Sequence, residues 1–196
     1  MTDAGESNES GKDVAEVGLS RWILFWTIAL GGMAFDLTTK SIIFAKIGPP
    51  GSRPVSLVPN VLELHTSYNR GALWGLGASM QHSSLVFAGL SIVAALGIFY
   101  WLFVHKAAAD WRLTTALALI MAGALGNCYD RLAFGQVRDF VHFHVDPIGF
   151  DCAIFNFADN MLVGGAVILM LLALRPEPAA SPTPIGAGAA ESVPIP

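Results

Sequence analysis

From Ser83 to Val104 the chain carries no charged residue, and the run closes on an aromatic group, Phe99, Tyr100, Trp101 and Phe103. Such a stretch matches the about 20 apolar residues a helix needs to cross a bilayer. The composition agrees: 54% of residues are hydrophobic and only 13% are charged, against roughly 25% charged in a soluble domain. Lipid is therefore the expected main solvent. Three further segments read as membrane spans. The first begins at Trp22, stays uncharged to Phe35, then meets Asp36 and Lys40 before Ser41–Phe44. The third runs from Leu113 to about Tyr129, between Arg112 and Asp130, and the fourth from about Ile154 to Leu174, containing Asp159.

Outside the spans the chain divides simply. Residues 1–20 are polar, acidic and aperiodic, and read as a disordered tail. They lack the basic start and small-residue cleavage site of a secretory signal, so the first span is expected to remain as an anchor. Residues 176–196 are rich in Pro, Ala, Gly and Ser and read as a second flexible tail. Residues 21–175 then form the one folded domain. His105–Arg112 is a short polar link. The loop from about Lys46 to His82 is long, and its Val55–Leu64 stretch has enough β-formers to supply short strands. A net charge of −4 offers no basic surface for nucleic acid. Cys128 and Cys152 have no metal-ligand spacing; both fall in the outward-facing half, where a disulfide is conceivable, but two small unpaired residues are the simpler reading.

A chain that crosses four times alternates direction, and this brings the polar residues to one face. Asp36 and Lys40 end the first span, and Asn69 and Arg70 lead towards the second. Asn127, Asp130 and Arg131 end the third, while Asn156, Asp159 and Asn160 open the fourth. Ionisable groups in membrane segments are costly and usually mark a site. Asp36 and Lys40 stand at i and i+4 in the favourable order, so Asp36 has a local partner and a structural role. Asn127 shares a helix face with either Asp130 or Arg131. Arg131 itself is suited equally to a peptide carbonyl or a carboxylate.

Val137-Arg138-Asp139-Phe140-Val141-His142-Phe143-His144-Val145 alternates as a strand does, placing Asp139 on an apolar face and Arg138, His142 and His144 on the other. A carboxylate there needs a partner or stays protonated. Asp159 poses the same question, since no basic residue lies between Arg138 and Arg175. Two such acids can partner each other by sharing one proton. That arrangement suits aspartic proteolysis: one carboxylate takes a proton from water while the other polarises the scissile carbonyl. It needs no metal or cofactor. There is no H-E-x-x-H zinc motif and no G-x-S-x-G elbow. Two rival readings remain. One is a carrier or channel with a proton or cation path through Asp36, Asp130 and Asp159. The other is a metal-dependent hydrolase on His142 and His144, a pair that reads more simply as polar packing.

Five segments in order carry a resemblance: Asp36-Leu37-Thr38-Thr39-Lys40; Asn69-Arg70-Gly71-Ala72; Gly126-Asn127-Cys128-Tyr129-Asp130-Arg131; Gly135-Gln136-Val137-Arg138-Asp139-Phe140; and Phe155-Asn156-Phe157-Ala158-Asp159. From Trp22 to Leu174 the chain resembles the lipoprotein signal peptidase (signal peptidase II) family. The resemblance implies a four-helix transmembrane bundle with a small extracytoplasmic β-rich cradle and flap. It implies a catalytic dyad of Asp139 and Asp159. It also implies that Asn69, Asn127, Arg131 and Asn156 hold substrate or orient the dyad, with Asp36, Lys40, Gly71 and Asp130 in support. The implied partners are membrane lipid and prolipoproteins with a diacylglyceryl cysteine directly after the cleaved bond. Leu73-Trp74 and the stretch from His144 to Ala153 depart from the family pattern. Lys and Arg are nearly balanced across the two faces, so the positive-inside rule is indecisive. Discounting Lys40, Arg131 and Arg138 as site or near-site residues tips the balance toward both termini in the cytoplasm, as the resemblance implies.

Overall fold

The computed structural model describes residues 17–71, 77 and 82–175. Four helices run through them: α1 Leu19–Ile47, α2 Ser83–Phe99, α3 Trp111–Phe134 and α4 Phe157–Ala173. Four antiparallel strands form a small sheet, β1 Val55–Val58, β2 Leu62–Asn69, β3 Val137–Val145 and β4 Phe150–Asp151, ordered β1-β2-β3-β4. Among the described residues two helices are long and apolar enough to cross a membrane, α1 and the helix Ser83–Val104 that α2 begins; α4 is apolar but shorter. Residues 1–16 and 176–196, the bulk of the two expected tails, lie outside the described residues, as do Leu73 and Trp74.

Element boundaries differ from the sequence reading for local reasons. The first helix begins at Leu19 and runs unbroken through Asp36 and Lys40, because Lys40 Nζ lies 2.7 Å from Asp36 Oδ2 and neutralises it one turn away. The last begins at Phe157 rather than near Ile154, because Asn156 is extended and caps it while Phe155 bridges Val141. The third continues past Tyr129 to Phe134. It stops at Gly135, whose φ of 70° lets its N–H bond the Arg131 carbonyl at 3.1 Å. Glycine adopts that left-handed cap at little cost, and the turn feeds the chain straight into β3. The second strand extends to Asn69, beyond the Val55–Leu64 region expected to form strands.

The third helix is the hub, packing on the other three. Its approach to α4 depends on small residues, since a Cβ on Gly123 would collide with the Ala158 carbonyl and one on Gly165 would lie 2.6 Å from the Ala116 carbonyl. Close backbone contact of this kind is how helices associate where lipid supplies no hydrophobic drive. The N-terminal part of α1 meets the end of the second helix in an aromatic cluster. Trp22 stacks on Phe103 at 3.8 Å between centroids, and Phe25 meets Phe103 edge-on at 5.1 Å. The opposite helix ends are polar. Ser83 donates to the Arg70 carbonyl at 2.9 Å and Ser84 to the Gly135 carbonyl, tying the start of α2 to the end of α3.

Gly123→Val should therefore lower stability by about 1–3 kcal/mol through overpacking, seen as a lower melting temperature in detergent. Gly164→Ala, where an added Cβ meets nothing within 4 Å, should leave the melting temperature near wild type.

Candidate active site

Asp36, Lys40 and Asp130 are each 0% exposed. The Lys40 ammonium has three acceptors: Asp36 Oδ2 at 2.7 Å, Asn127 Oδ1 at 2.9 Å and Asp130 Oδ2 at 3.3 Å. Arg138 completes the set, with Nη2 2.8 Å from Asp130 Oδ1 and its backbone N–H donating to Oδ2 at 3.0 Å. Two acids and two bases thus form a buried group without net charge. Asp36 reaches further, its Oδ1 accepting the Ala158 N–H at 2.9 Å. That N–H is one of the orphan donors at the start of α4. Gly126 makes room, since a Cβ there would lie 2.6 Å from Asp36 Oδ2.

An ammonium can only donate, and this sets the direction of every bond beyond it. Because Lys40 takes the Asn127 oxygen, Asn127 Nδ2 faces outward and donates to Asp159 Oδ1 at 2.8 Å. The Asn156 oxygen accepts the Asp159 N–H at 3.1 Å, so Asn156 Nδ2 must point the other way. It donates to Asp139 Oδ1 at 2.5 Å and to Asn127 Oδ1 at 3.2 Å. Asp159 Oδ2 accepts the Asn156 backbone N–H at 3.1 Å, closing a reciprocal capping box on α4. Both oxygens of Asp159 therefore face N–H donors. Asp139 comes to the same place from β3, where it pairs with Ser67 of β2.

Asp139 is 2% exposed. Burial, and then the charge of Asp159, raise its pKa to about 7, against the opposing pull of hydrogen bonds from Asn156 and Asn69 and the charge of Lys40. Asn69 Oδ1 also accepts the Gly71 N–H at 2.9 Å, and the Gly71 carbonyl accepts from Arg131 Nη2 at 2.9 Å. A cavity of about 870 Å³ opens over these groups. Asn69, Asn127, Arg131, Asp139 and Asp159 line it together with Phe87, Leu90, Ile120 and Val163. Arg131 Nε is buried there without a hydrogen-bond partner among the described residues.

All ten residues singled out in the sequence fall in this region: Asp36, Lys40, Asn69, Gly71, Asn127, Asp130, Arg131, Asp139, Asn156 and Asp159. Two details of the sequence reading change. Asn127 bonds Lys40, Asn156 and Asp159 rather than a charged neighbour on its own helix. The two acids on β3 and α4 also find partners other than each other, in Asn69, Asn127 and Asn156. Arg131 takes the carbonyl option, on Gly71. Cys128 and Cys152 are free thiols. Arg138 and Gly126 were missed as supports. The turn at Gly135 was the signal for Arg138, since it folds β3 back onto the end of α3. His142 and His144 bond Glu63, Asp146 and Asp151 instead of the asparagine network.

The sequence profile described as Signal peptidase (SPase) II matches residues 28–175. The chain belongs to that family. It is 38% identical over 164 residues to the lipoprotein signal peptidase of Rhodopirellula baltica, covering 78% of this chain and 72% of that one. The lipoprotein signal peptidase of Streptococcus pneumoniae is 37% identical over 145 residues, covering 74% and 88%. A bacterial membrane enzyme solved by the in meso method superposes with a TM-score of 0.67 at 30% identity, covering 76% of this chain and 87% of that one. A second such structure has the same TM-score at 28% identity, covering 78% and 94%. As a family member the chain is a peptidase of the inner membrane, and the two long apolar helices among the described residues are consistent with that.

The neutral four-charge group predicts a non-additive pair. Asp36→Asn leaves one excess positive charge and Lys40→Met one excess negative charge, each costing about 3–5 kcal/mol if the site stays dry. The double variant restores neutrality. Its melting temperature should therefore fall well short of the sum of the single losses.

Proposed function

We propose that the domain of residues 21–175 is a four-span aspartyl endopeptidase. It removes the signal peptide from prolipoproteins carrying a diacylglyceryl cysteine, cutting directly before that cysteine. The observation that carries this reading is the joining of Asp139 and Asp159 through one asparagine, Asn156, at the wall of a large cavity. Asp159, with only N–H donors on its oxygens, serves as the base. It takes a proton from a water whose oxygen attacks the scissile carbonyl carbon. Asp139, held protonated by burial, gives a hydrogen bond and then its proton to the carbonyl oxygen. Collapse of the tetrahedral intermediate breaks the C–N bond: the proton gathered by Asp159 passes to the departing cysteine nitrogen, and a hydroxyl proton of the intermediate returns to Asp139 as the new carboxyl group forms. The unpartnered Arg131 Nε supplies a donor for a substrate carbonyl. No metal or cofactor takes part.

The apolar wall of the cavity, from α2, α3 and α4, suits a substrate arriving through the bilayer with its acyl chains. The four-span reading rests on the gathering of the late part of α1, the start of α2, the end of α3 and the start of α4 in one polar cluster. It puts both termini in the cytoplasm and the cluster near the outer face, beneath the sheet.

Asp139→Asn and Asp159→Asn should each abolish cleavage of a lipidated prolipoprotein in vitro while the protein still inserts and binds substrate. Substantial turnover by either variant would falsify the dyad. The proton on Asp139 is present below about pH 7 and is lost as pH rises through that value, so the wild-type rate should decline on the alkaline side from there. A rate flat across that range would count against Asp139 as the acid. Single cysteines at Ser52 and Ser192 should label from opposite sides of the membrane. Labelling of both from one side would break the four-span topology.

A further inference from the structure

The sheet face turned away from the asparagine network carries a second cluster that the peptidase reading leaves unused. Alternation along β3 puts His142 and His144 on the side opposite Asp139. Register places Glu63 of β2 directly across from His142 and Asp151 of β4 across from His144. Glu63 Oε1 lies 2.8 Å from His142 Nδ1. One donor atom from each of Glu63, His142 and His144 lies within 4.8 Å of the other two. We propose that these three residues bind a divalent transition-metal ion, Zn²⁺ before others, as a clip between β2 and β3.

Three observations support the site. First, the donor set is right. Two imidazoles and a carboxylate suit zinc, whose filled d shell imposes no geometry of its own. Ligands bonded at about 2.0–2.2 Å in a tetrahedron stand about 3.3–3.6 Å apart. The present spread of 4.8 Å closes with a movement of about 1.2–1.5 Å by side chains that are only partly buried. Second, each histidine already carries a carboxylate partner on a ring nitrogen. Asp151 Oδ1 lies 2.7 Å from His142 Nε2, and Asp146 Oδ1 lies 2.7 Å from His144 Nδ1. On His144 that leaves Nε2 for the metal; on His142 both ring nitrogens face carboxylates, so the ion would replace the proton that now joins Nδ1 to Glu63 Oε1. Third, the charges favour a cation: Glu63, Asp146 and Asp151 surround two imidazoles that are neutral when they ligate. Both orienting acids come from the stretch between His144 and Ala153. The ion would brace the strand carrying Asp139 from the far side, touching neither substrate nor dyad, so the proposal stands apart from the catalytic assignment.

The test uses the full-length chain without a histidine tag, purified in detergent, stripped with a chelator and titrated with Zn²⁺ by calorimetry and thermal unfolding. The expected result is one ion per chain and a melting temperature that rises with Zn²⁺ concentration, as ligand linkage requires. Glu63→Gln and His144→Ala should each weaken binding by about tenfold or more, while His82→Ala and His105→Ala leave it unchanged. Absence of saturable binding in wild type, survival of full affinity in both ligand variants, or loss of binding in the two control variants would each overturn the proposal. Co²⁺ added to wild type gives a readout that needs no variant. Visible d–d bands of inner-sphere nitrogen ligation are expected, and a spectrum matching hydrated Co²⁺ would overturn the site.

Discussion

Lys40 sits fully buried with three N–H groups and three acceptors, on α1 itself at Asp36 and on α3 at Asn127 and Asp130. An ammonium removed from water costs several kcal/mol even after relaxation, and the loss is offset only when every donor is used and the charge is matched. Here the charge is matched, because Arg138 supplies the positive charge that Asp130 would otherwise lack. The first and third helices are therefore joined by a contact that tolerates little displacement, and Gly126 shows how little space is left around it. Everything nearer the cavity takes its position from this contact.

Direction as well as position is inherited. The ammonium fixes one amide, that amide presents its N–H to Asp159, and the cap of α4 fixes the second amide towards Asp139. A carboxylate pair in plain solvent would have no means of telling its two members apart. Here Asp159 receives donors on both oxygens, while Asp139 lies on a buried strand that favours its neutral form. The difference between the two carboxylates is thus written in hydrogen-bond polarity, from a lysine that lies outside the cavity lining.

Much of this was legible in the sequence because membrane burial makes charge conspicuous. Asp36, Lys40, Asp130 and Asp159 stand out in apolar runs, and alternation along 137–145 announces a strand with Asp139 on one face. What stayed hidden depended on contacts between distant segments. The asparagines carry no charge, so Asn127 and Asn156 gave no sign of which group each would face. The pairing of Arg138 with Asp130 required the tight reversal at Gly135. The opposition of Glu63 and His142 required a β2–β3 register that shifts between Leu64 and Ser67, and no local pattern in a strand of mixed polar residues reports such a shift. The extension of β2 to Asn69 was missed for the same reason.

Asn156 and Asp159 are at once the capping box of α4 and members of the polar cluster. Initiating a helix is the unfavourable step of its formation, because several residues must be fixed before the first bonds form. In this chain the bonds that lower that barrier are the same ones that orient the carboxylates, joined by Asp36 on the Ala158 N–H. Nucleation of the last helix and assembly of the cluster are consequently one cooperative event. A molecule with its first α4 turn frayed would lose the cluster as well, so exchange of the Ala158 and Asp159 backbone amide protons would report its assembly.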